Sequence, residues 1–182
     1  MEDHTYVLDY LPDGRPDERK YKHETLVLAL GEDEFKLFEL IPQDGISILV
    51  GDRVYIGKDV DKREHIKHVK RRISWKELTH AAQSEVPYVI EEIIDRDPSK
   101  FIRFYNEAHP LTKRYHMLEL LPGLGRKKME AIIEERRKGE FKDFEDLMER
   151  VPLLHKPKKL VKERIMEELK NPSIKYKIWV AE

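Results

Sequence analysis

The sequence predicts an α+β protein: a small N-terminal β-barrel followed by an all-α domain, with a C-terminal strand that returns to the barrel. Three observations carry this. Residues 1–73 read as short apolar runs separated by turn residues, the pattern of many short strands. From Ser74 onward the apolar residues recur at helical spacing, interrupted by capping residues, Pro and Gly. Within the helical part stands Leu120-Leu121-Pro122-Gly123-Leu124-Gly125-Arg126-Lys127-Lys128, an apolar helix end, two glycines and a basic helix start. The expected boundaries are 1–73 for the barrel, 74–110 for a helical connector, 111–172 for a domain of two helical hairpins, and 173–182 for the terminal strand.

Five strands are expected in the barrel. Thr5–Leu11 is the first, followed by a turn-rich loop over Pro12–Asp17. Thr25–Leu30 is apolar enough for a central strand, and the turn Gly31-Glu32-Asp33 leads to its hairpin partner, Glu34–Ile41. Asp52–Gly57 is the fourth strand and Glu64–Ile73 the fifth. The step Leu49-Val50-Gly51-Asp52-Arg53-Val54 is similar to the Gly-Asp-x-Val step of small oligonucleotide-binding barrels. Five short strands with this punctuation suit a Greek-key barrel of the oligonucleotide/oligosaccharide-binding (OB) or S1-like type.

The fifth strand carries Lys67, Lys70, Arg71 and Arg72. Barrels of this type hold single-stranded nucleic acid by charge and aromatic stacking, and Tyr6, Tyr10, Phe35, Phe38 and Tyr55 are the available aromatics. For any one of them, core is the better explanation. Alternation places Phe35 and Phe38 on opposite faces, so one of them is expected in the core. The basic strand has its own structural explanation, a charged edge that blocks sheet aggregation.

Ser74 is an N-cap with Glu77 three residues on. Helices are expected over 74–82, 84–95, 98–107 and 111–120, with Pro87 in the first turn of the second, Asp97-Pro98 opening the third and Thr112 capping the fourth. The acidic run Glu85, Glu91, Glu92, Asp95 reads as a solvated face, or as the edge of a surface that repels nucleic acid. Beyond Asn171-Pro172, Ile174, Tyr176, Ile178 and Val180 alternate with polar residues, a strand pattern that needs a sheet to join.

The glycine turn at Gly123-Leu124-Gly125 is the most informative stretch. Gly123 and Gly125 allow a tight turn with positive φ and no Cβ in the way. Such a turn leaves backbone N–H groups unpaired at the start of the next helix, where a phosphate accepts them. Arg126, Lys127 and Lys128 add charge beside it. Downstream, Met129, Ile132 and Ile133 form a buried stripe, Gly139 ends the helix, and Asp143, with Asp146 three residues on, opens another. This succession resembles the tandem helix-hairpin-helix domains of DNA-repair and DNA-uptake proteins, with one departure: Met129 stands where a small residue is usual. A second, degenerate hairpin is expected at Val151-Pro152-Leu153-Leu154-His155-Lys156, where Leu153 and His155 replace the glycines. Lys156, Lys158 and Lys159 can there touch phosphates as plain charges, or simply begin a solvated helix.

Composition narrows the field. Charged residues make up 39% and apolar residues 40% of the chain, and no run approaches the roughly 18 apolar residues of a membrane helix. The absence of cysteine removes disulfides, thiolate metal sites and cysteine nucleophiles. A cytoplasmic location without metal or cofactor is expected, and no oligomeric state is specified. The net charge of −1 hides balances of −7 over 1–57, +5 over 58–76, −5 over 77–95 and +6 over 96–182. Binding is therefore expected through local footprints, not broad attraction. No phosphate-loop or nucleophile-elbow pattern is present. Asp143 and Asp146 stand at about the distance from the hairpin at which DNA glycosylases place a catalytic Asp, but helix capping explains both more simply.

Gly51–Gly57, Arg71–Thr79 and Leu121–Lys128 together resemble an uncharacterised archaeal family of predicted RNA-binding proteins that join an OB- or S1-like barrel to a helix-hairpin-helix region. The resemblance implies a non-enzymatic nucleic-acid-binding protein, RNA preferred over DNA. It would grip backbone through Gly123, Leu124, Gly125, Arg126, Lys127 and Lys128, and a single strand through Lys67, Lys70, Arg71 and Arg72. The rival expectation is a protein-interaction adaptor, since tandem helix-hairpin-helix domains also dimerise and dock partners.

Overall fold

The computed structural model describes residues 1–16 and 24–182; Asp17, the last residue of the expected Pro12–Asp17 loop, lies outside them. Among the described residues the chain is mixed α+β, with a five-stranded antiparallel sheet, a small β-hairpin and five α-helices. It divides into two compact units, Met1–Val89 with Glu168–Glu182, and Ile90–Glu167.

The first unit holds β1 (His4–Leu11), β2 (Leu26–Gly31), β3 (Leu37–Pro42), β4 (Arg53–Tyr55) and β5 (Ile66–Ile73). All five lie in the runs that the sequence marks as strands. Their order is β4-β1-β2-β3-β5, in which the first four make a Greek key and β5 adds beside β3. Register shifts at Val7/Asp9, Glu39/Leu40 and Ile41/Pro42 bend the strands, so the sheet curls into a half-barrel. It does not close: β4 and β5 are its edges. The reason is local, because β4 is only three residues long. The chain before it is spent on a turn in which Asp52 N–H donates to the Leu49 carbonyl and the Asp52 carboxylate accepts the Leu49 N–H.

Val7, Val27, Ala29, Phe38, Leu40, Ile48, Val54, Ile56 and Ile66 form the core on one face. Leu26, Leu28 and Leu30 alternate to the other face and are buried too, which is why β2 reads as a continuous apolar run. Phe35 and Phe38 are both core, against the expectation of one. Phe35 precedes β3 with φ +53, so strand alternation does not govern it.

The helical expectations need correcting. The two helices expected over 74–82 and 84–95 are one, α1 (His80–Arg96), with Pro87 inside it. Ser74 and Glu77 instead cap a short 3-10 turn, Trp75–Glu77, the Glu77 carboxylate accepting the Ser74 N–H at 2.7 Å. Thr79 caps α1 by accepting the Ala82 N–H. α2 (Pro98–Glu107) begins at Asp97-Pro98 as expected, but the Asp97 carboxylate, expected to cap it, accepts the Ser99 hydroxyl and no helix amide. The helix expected over 111–120 is a hairpin, β6 (Pro110–Thr112) with β7 (Tyr115–His116), followed by a 3-10 turn at Met117–Leu120. Thr112 Oγ1 accepts the Arg114 N–H and so closes the hairpin turn where a helix cap was expected. α3 (Arg126–Arg136), α4 (Phe144–Arg150) and α5 (Pro157–Lys170) complete the chain.

Residues 173–182 are not a strand. The amides of Ile178, Trp179 and Val180 donate to the buried Glu168 carboxylate at 2.8–3.0 Å, which removes them from any ladder. Ala181 N–H donates to the Glu34 carbonyl and Arg72 to the Ala181 carbonyl, so the segment stays within the first unit.

Glu39 of β3 is wholly buried. Arg71 of β5 grips both its oxygens, at 2.8 and 3.0 Å, and Arg15 contacts it as well. Arg71 also donates to Glu77 at 2.6 Å, and this bond, with those from Ser74, holds the Glu77 carboxyl down at about 2. A depressed carboxyl stabilises the fold above its unfolded value, 4.5, and that contribution is lost as pH falls toward 2. Arg71→Ala leaves Glu39 with Arg15 alone. We expect it to lower stability in urea by about 2 kcal/mol and to return the Glu77 midpoint, followed by carboxyl NMR, toward 4.5.

Candidate nucleic-acid interface

Leu121 and Leu124 are both buried and straddle the first turn, and Leu124 N–H donates to the Leu121 carbonyl at 3.1 Å. Gly123 between them has φ +77, a conformation that L side chains rarely adopt. Gly125 is the N-cap of α3, extended at φ −84, with no side chain to cap the helix. The first amide of α3 to find an acceptor is that of Met129, which donates to the Gly125 carbonyl. The N–H groups of Arg126, Lys127 and Lys128 therefore point out of the helix start with no acceptor among the described residues. No atom lies within 4 Å of a Cβ built on Gly123 or on Gly125, so the approach to these amides is open.

Arg126 is 80% exposed and makes only an i,i+4 contact with Glu130 at 3.2 Å, a bond worth a few tenths of a kcal/mol at most (~0.3). Lys128 donates to the Gly123 carbonyl at 3.2 Å, back across the turn. Lys127 is exposed and has no partner among the described residues. Behind the turn, buried Arg164 donates to the Leu120 carbonyl, and Arg136 to the Tyr105 and Ala108 carbonyls. These arginines fix the scaffold. The buried stripe of α3 is narrower than expected: Ile132 is fully buried, while Met129 and Ile133 are half-buried.

The same turn is built a second time. Val151 and Leu154 are buried, and Leu154 N–H donates to the Val151 carbonyl at 3.0 Å, matching Leu121 and Leu124. Leu153 stands where Gly123 does and is 44% exposed. The helix start differs, however. Lys156 has φ +51, and α5 begins with Pro157, which has no N–H. The Lys159 amide is returned to the Lys156 carbonyl. Lys158 pairs with Asp95 at 2.8 Å and Lys159 with Glu163 at 3.6 Å. The second turn thus keeps the packing of the first and lacks its row of open amides. Asp143 caps α4 by accepting the Asp146 N–H at 2.7 Å, and Asp146 accepts the Lys142 N–H, so both carboxylates are occupied as caps.

The basic strand is also largely committed. Lys70 pairs with Glu24 at 3.2 Å, Arg71 with Glu39 and Glu77, and Arg72 with the Ala181 carbonyl. Lys67 is exposed, and it shares a cleft with Tyr10, which is 37% exposed. Tyr6, Phe35 and Phe38 are core, and Tyr55 packs edge-on against His4. Among the described residues no group of three or more His, Cys, Asp or Glu could hold a metal, and no helix is long and apolar enough to cross a membrane.

These features define a mixed α+β protein in which a half-barrel sheet is joined in one chain to a helical unit bearing one open and one closed copy of the same turn. Residues 1–181 match the family described as DUF655, protein of unknown function, and the chain belongs to that family. The uncharacterized protein MJ0038 of Methanocaldococcus jannaschii is 44% identical over 169 residues, 93% of this chain and 75% of that protein. The crystal structure of Af1531 from Archaeoglobus fulgidus is 47% identical, with a TM-score of 0.90 over 99% of this chain and 100% of that one. The expected archaeal kinship is thus found.

The two glycines should respond differently to substitution. Gly123→Ala meets no atom but must hold φ +77, and we expect a loss of about 1 kcal/mol in urea denaturation. Gly125→Asp supplies an N-cap and a favourable charge to α3, and should raise stability by about 0.5 kcal/mol.

His116, next to this site, makes a second expectation. It is 5% exposed and its Nδ1 accepts the Leu118 N–H at 3.1 Å. Burial, with Arg136 nearby, pushes its pKa below 6.5. Its contribution to stability is complete above 6.5 and is lost as pH falls through the lower folded value. Denaturation midpoints should therefore fall as pH drops from 6.5 toward that lower value and level off beneath it, and His116→Asn should flatten this limb.

Proposed function

We propose that the protein is a non-enzymatic nucleic-acid-binding protein, with RNA its preferred ligand over DNA. It grips the phosphate backbone through Gly123, Leu124, Gly125, Arg126, Lys127 and Lys128 in the manner of a helix-hairpin-helix. The observation that carries this reading is the open start of α3: three amides without acceptors among the described residues, open space where a Cβ on either glycine would stand, and three flanking cations. A phosphate there receives backbone hydrogen bonds, the positive end of the helix and mobile cationic side chains together. The second copy of the turn, built on Val151 and Leu154, supports the tandem reading. The β4-β1-β2-β3-β5 order supports an OB- or S1-like origin for the half-barrel, and with it the preference for RNA. On this reading Lys67, beside Tyr10, is the barrel's contact, while Lys156, Lys158 and Lys159 contribute general positive charge.

The alternative, a protein-interaction adaptor, draws on Ile46, Leu49 and Val50, which are 39%, 66% and 49% exposed in one loop. Salt separates the two, because backbone binding weakens steeply with ionic strength and apolar docking does not.

The test is fluorescence anisotropy with single-stranded RNA, hairpin RNA and duplex DNA over a salt series. Wild type should bind with a steep salt slope and rank RNA first. Gly125→Asp, which keeps the fold, should weaken binding roughly tenfold to a hundredfold by placing a carboxylate on the phosphate amides. Binding that this variant leaves intact would remove the turn from the interface, and no binding at low salt would overturn the reading in favour of the adaptor.

A further inference from the structure

The sheet-bearing unit contains a second basic site that the fifth strand alone does not reveal. A cleft of about 510 Å³ is lined by Trp75, Lys36, Arg72, Lys76, Lys170 and Lys177. Its two carboxylates leave this charge largely in place. Both oxygens of Glu168 are taken by three tail amides, and Glu182 lies at the rim, 91% exposed and 3.8 Å from Lys177. Lys36 pairs with Glu34, and Arg72 reaches the Ala181 carbonyl. Lys76 and Lys170 pair with no carboxylate among the described residues, and Lys170 lies over the Trp75 ring, 5.3 Å from its centre. Trp75 is half-buried, and its backbone is pinned: Ser74 and Glu77 cap its turn, and its main-chain carbonyl accepts a bond from Gln83 at 3.2 Å.

We propose that this cleft binds a segment of single-stranded nucleic acid, its phosphates on Lys76, Lys170 and Arg72 and a base on Trp75. An aromatic ring on a pinned turn, beside cations that pair with no carboxylate among the described residues, is the arrangement by which single strands are held without sequence readout. An acidic peptide would use the cations and leave the ring idle. The inference takes its ligand class from the reading above, but every residue in it belongs to the first unit and none to the glycine turn.

The chain's two tryptophans, Trp75 and Trp179, serve as probes. The full-length protein is titrated with a short uridine oligoribonucleotide at low salt, and its emission is followed in wild type and in the Trp75→Phe and Trp179→Phe variants. Quenching should occur, persist in Trp179→Phe and disappear in Trp75→Phe. Lys76→Glu with Lys170→Glu, both exposed positions, should weaken binding by about tenfold and lower the slope of log K against log salt by about 1.4. Gly125→Asp should leave the quenching unchanged. Weakened anisotropy binding of hairpin RNA and duplex DNA in that variant, with quenching by the single strand retained, supports both sites. Unchanged anisotropy binding with quenching retained removes the turn alone. No quenching in wild type, a quenching affinity and salt slope that the double reversal leaves unchanged, quenching lost in Gly125→Asp, or an equal response to polyglutamate would each overturn the cleft.

Discussion

A carboxylate removed from water must keep donors around it, and in the sheet-bearing unit three buried glutamates turn that requirement into architecture. Glu2 accepts the amides of Asp33, Glu34 and Lys36 and so shapes the approach to β3. Its burial still raises its pKa, because desolvation outweighs those bonds. Glu39 draws Arg15 and Arg71 onto β3. Glu168 takes the amides of residues 178–180 and thereby decides that the chain's end is no strand. In each case a segment that could have paired as a strand or stayed loose is positioned by one side chain.

This constraint reaches into function, because it decides which cations remain to meet a ligand. Arg71 lies in the middle of the most basic run of the sequence and is consumed by Glu39 and Glu77. In the helical unit, Lys158 and Lys162 are likewise met by Asp95 and Glu91. Two members of the acidic run, Glu91 and Asp95, thus also serve as partners for α5 while staying 52% and 64% exposed, so the run remains a solvated face. A linear charge count treats all these residues alike. The structure separates them into cations that close the fold and a smaller set (Lys67, Lys76, Lys127 and Lys170 among them) that make no ion pair among the described residues.

Much of the fold was legible because its signals are local. Alternating apolar runs bounded by Gly and Pro located all five strands, and Asp97-Pro98 and Asp143 marked two helix starts. What failed depended on distant partners or on small energetic differences. Pro87 reads as the opening of a new helix, yet α1 continues through it. Thr112 has the composition of a helix cap but serves a hairpin turn. The alternation after Pro172 is a sound strand pattern, defeated by a carboxylate on α5. The glycine turn was readable because φ +77 at Gly123 is a backbone demand that only a few residue types meet. The cleft at Trp75 was not, since its lysines come from positions 36, 76, 170 and 177, which no local pattern connects.

The two copies of the turn show how little separates a turn that only packs from one that also leaves its amides open. Both bury an apolar pair, Leu121 with Leu124 and Val151 with Leu154, and both close the same i to i+3 bond. Packing therefore does not require the glycines, since the second copy forms with Leu153 and His155 in their places. What the glycines add is access to backbone. Where Gly125 leaves the amides of Arg126, Lys127 and Lys128 bare, the second copy puts Pro157, without an N–H, at the helix start and folds the Lys159 amide back onto Lys156. A fold that needed only the hairpin's packing would gain stability by capping α3 with Ser or Asp at position 125. An uncapped, uncovered helix start flanked by cations forgoes that stability, and it is on this open start that the proposed anion site rests.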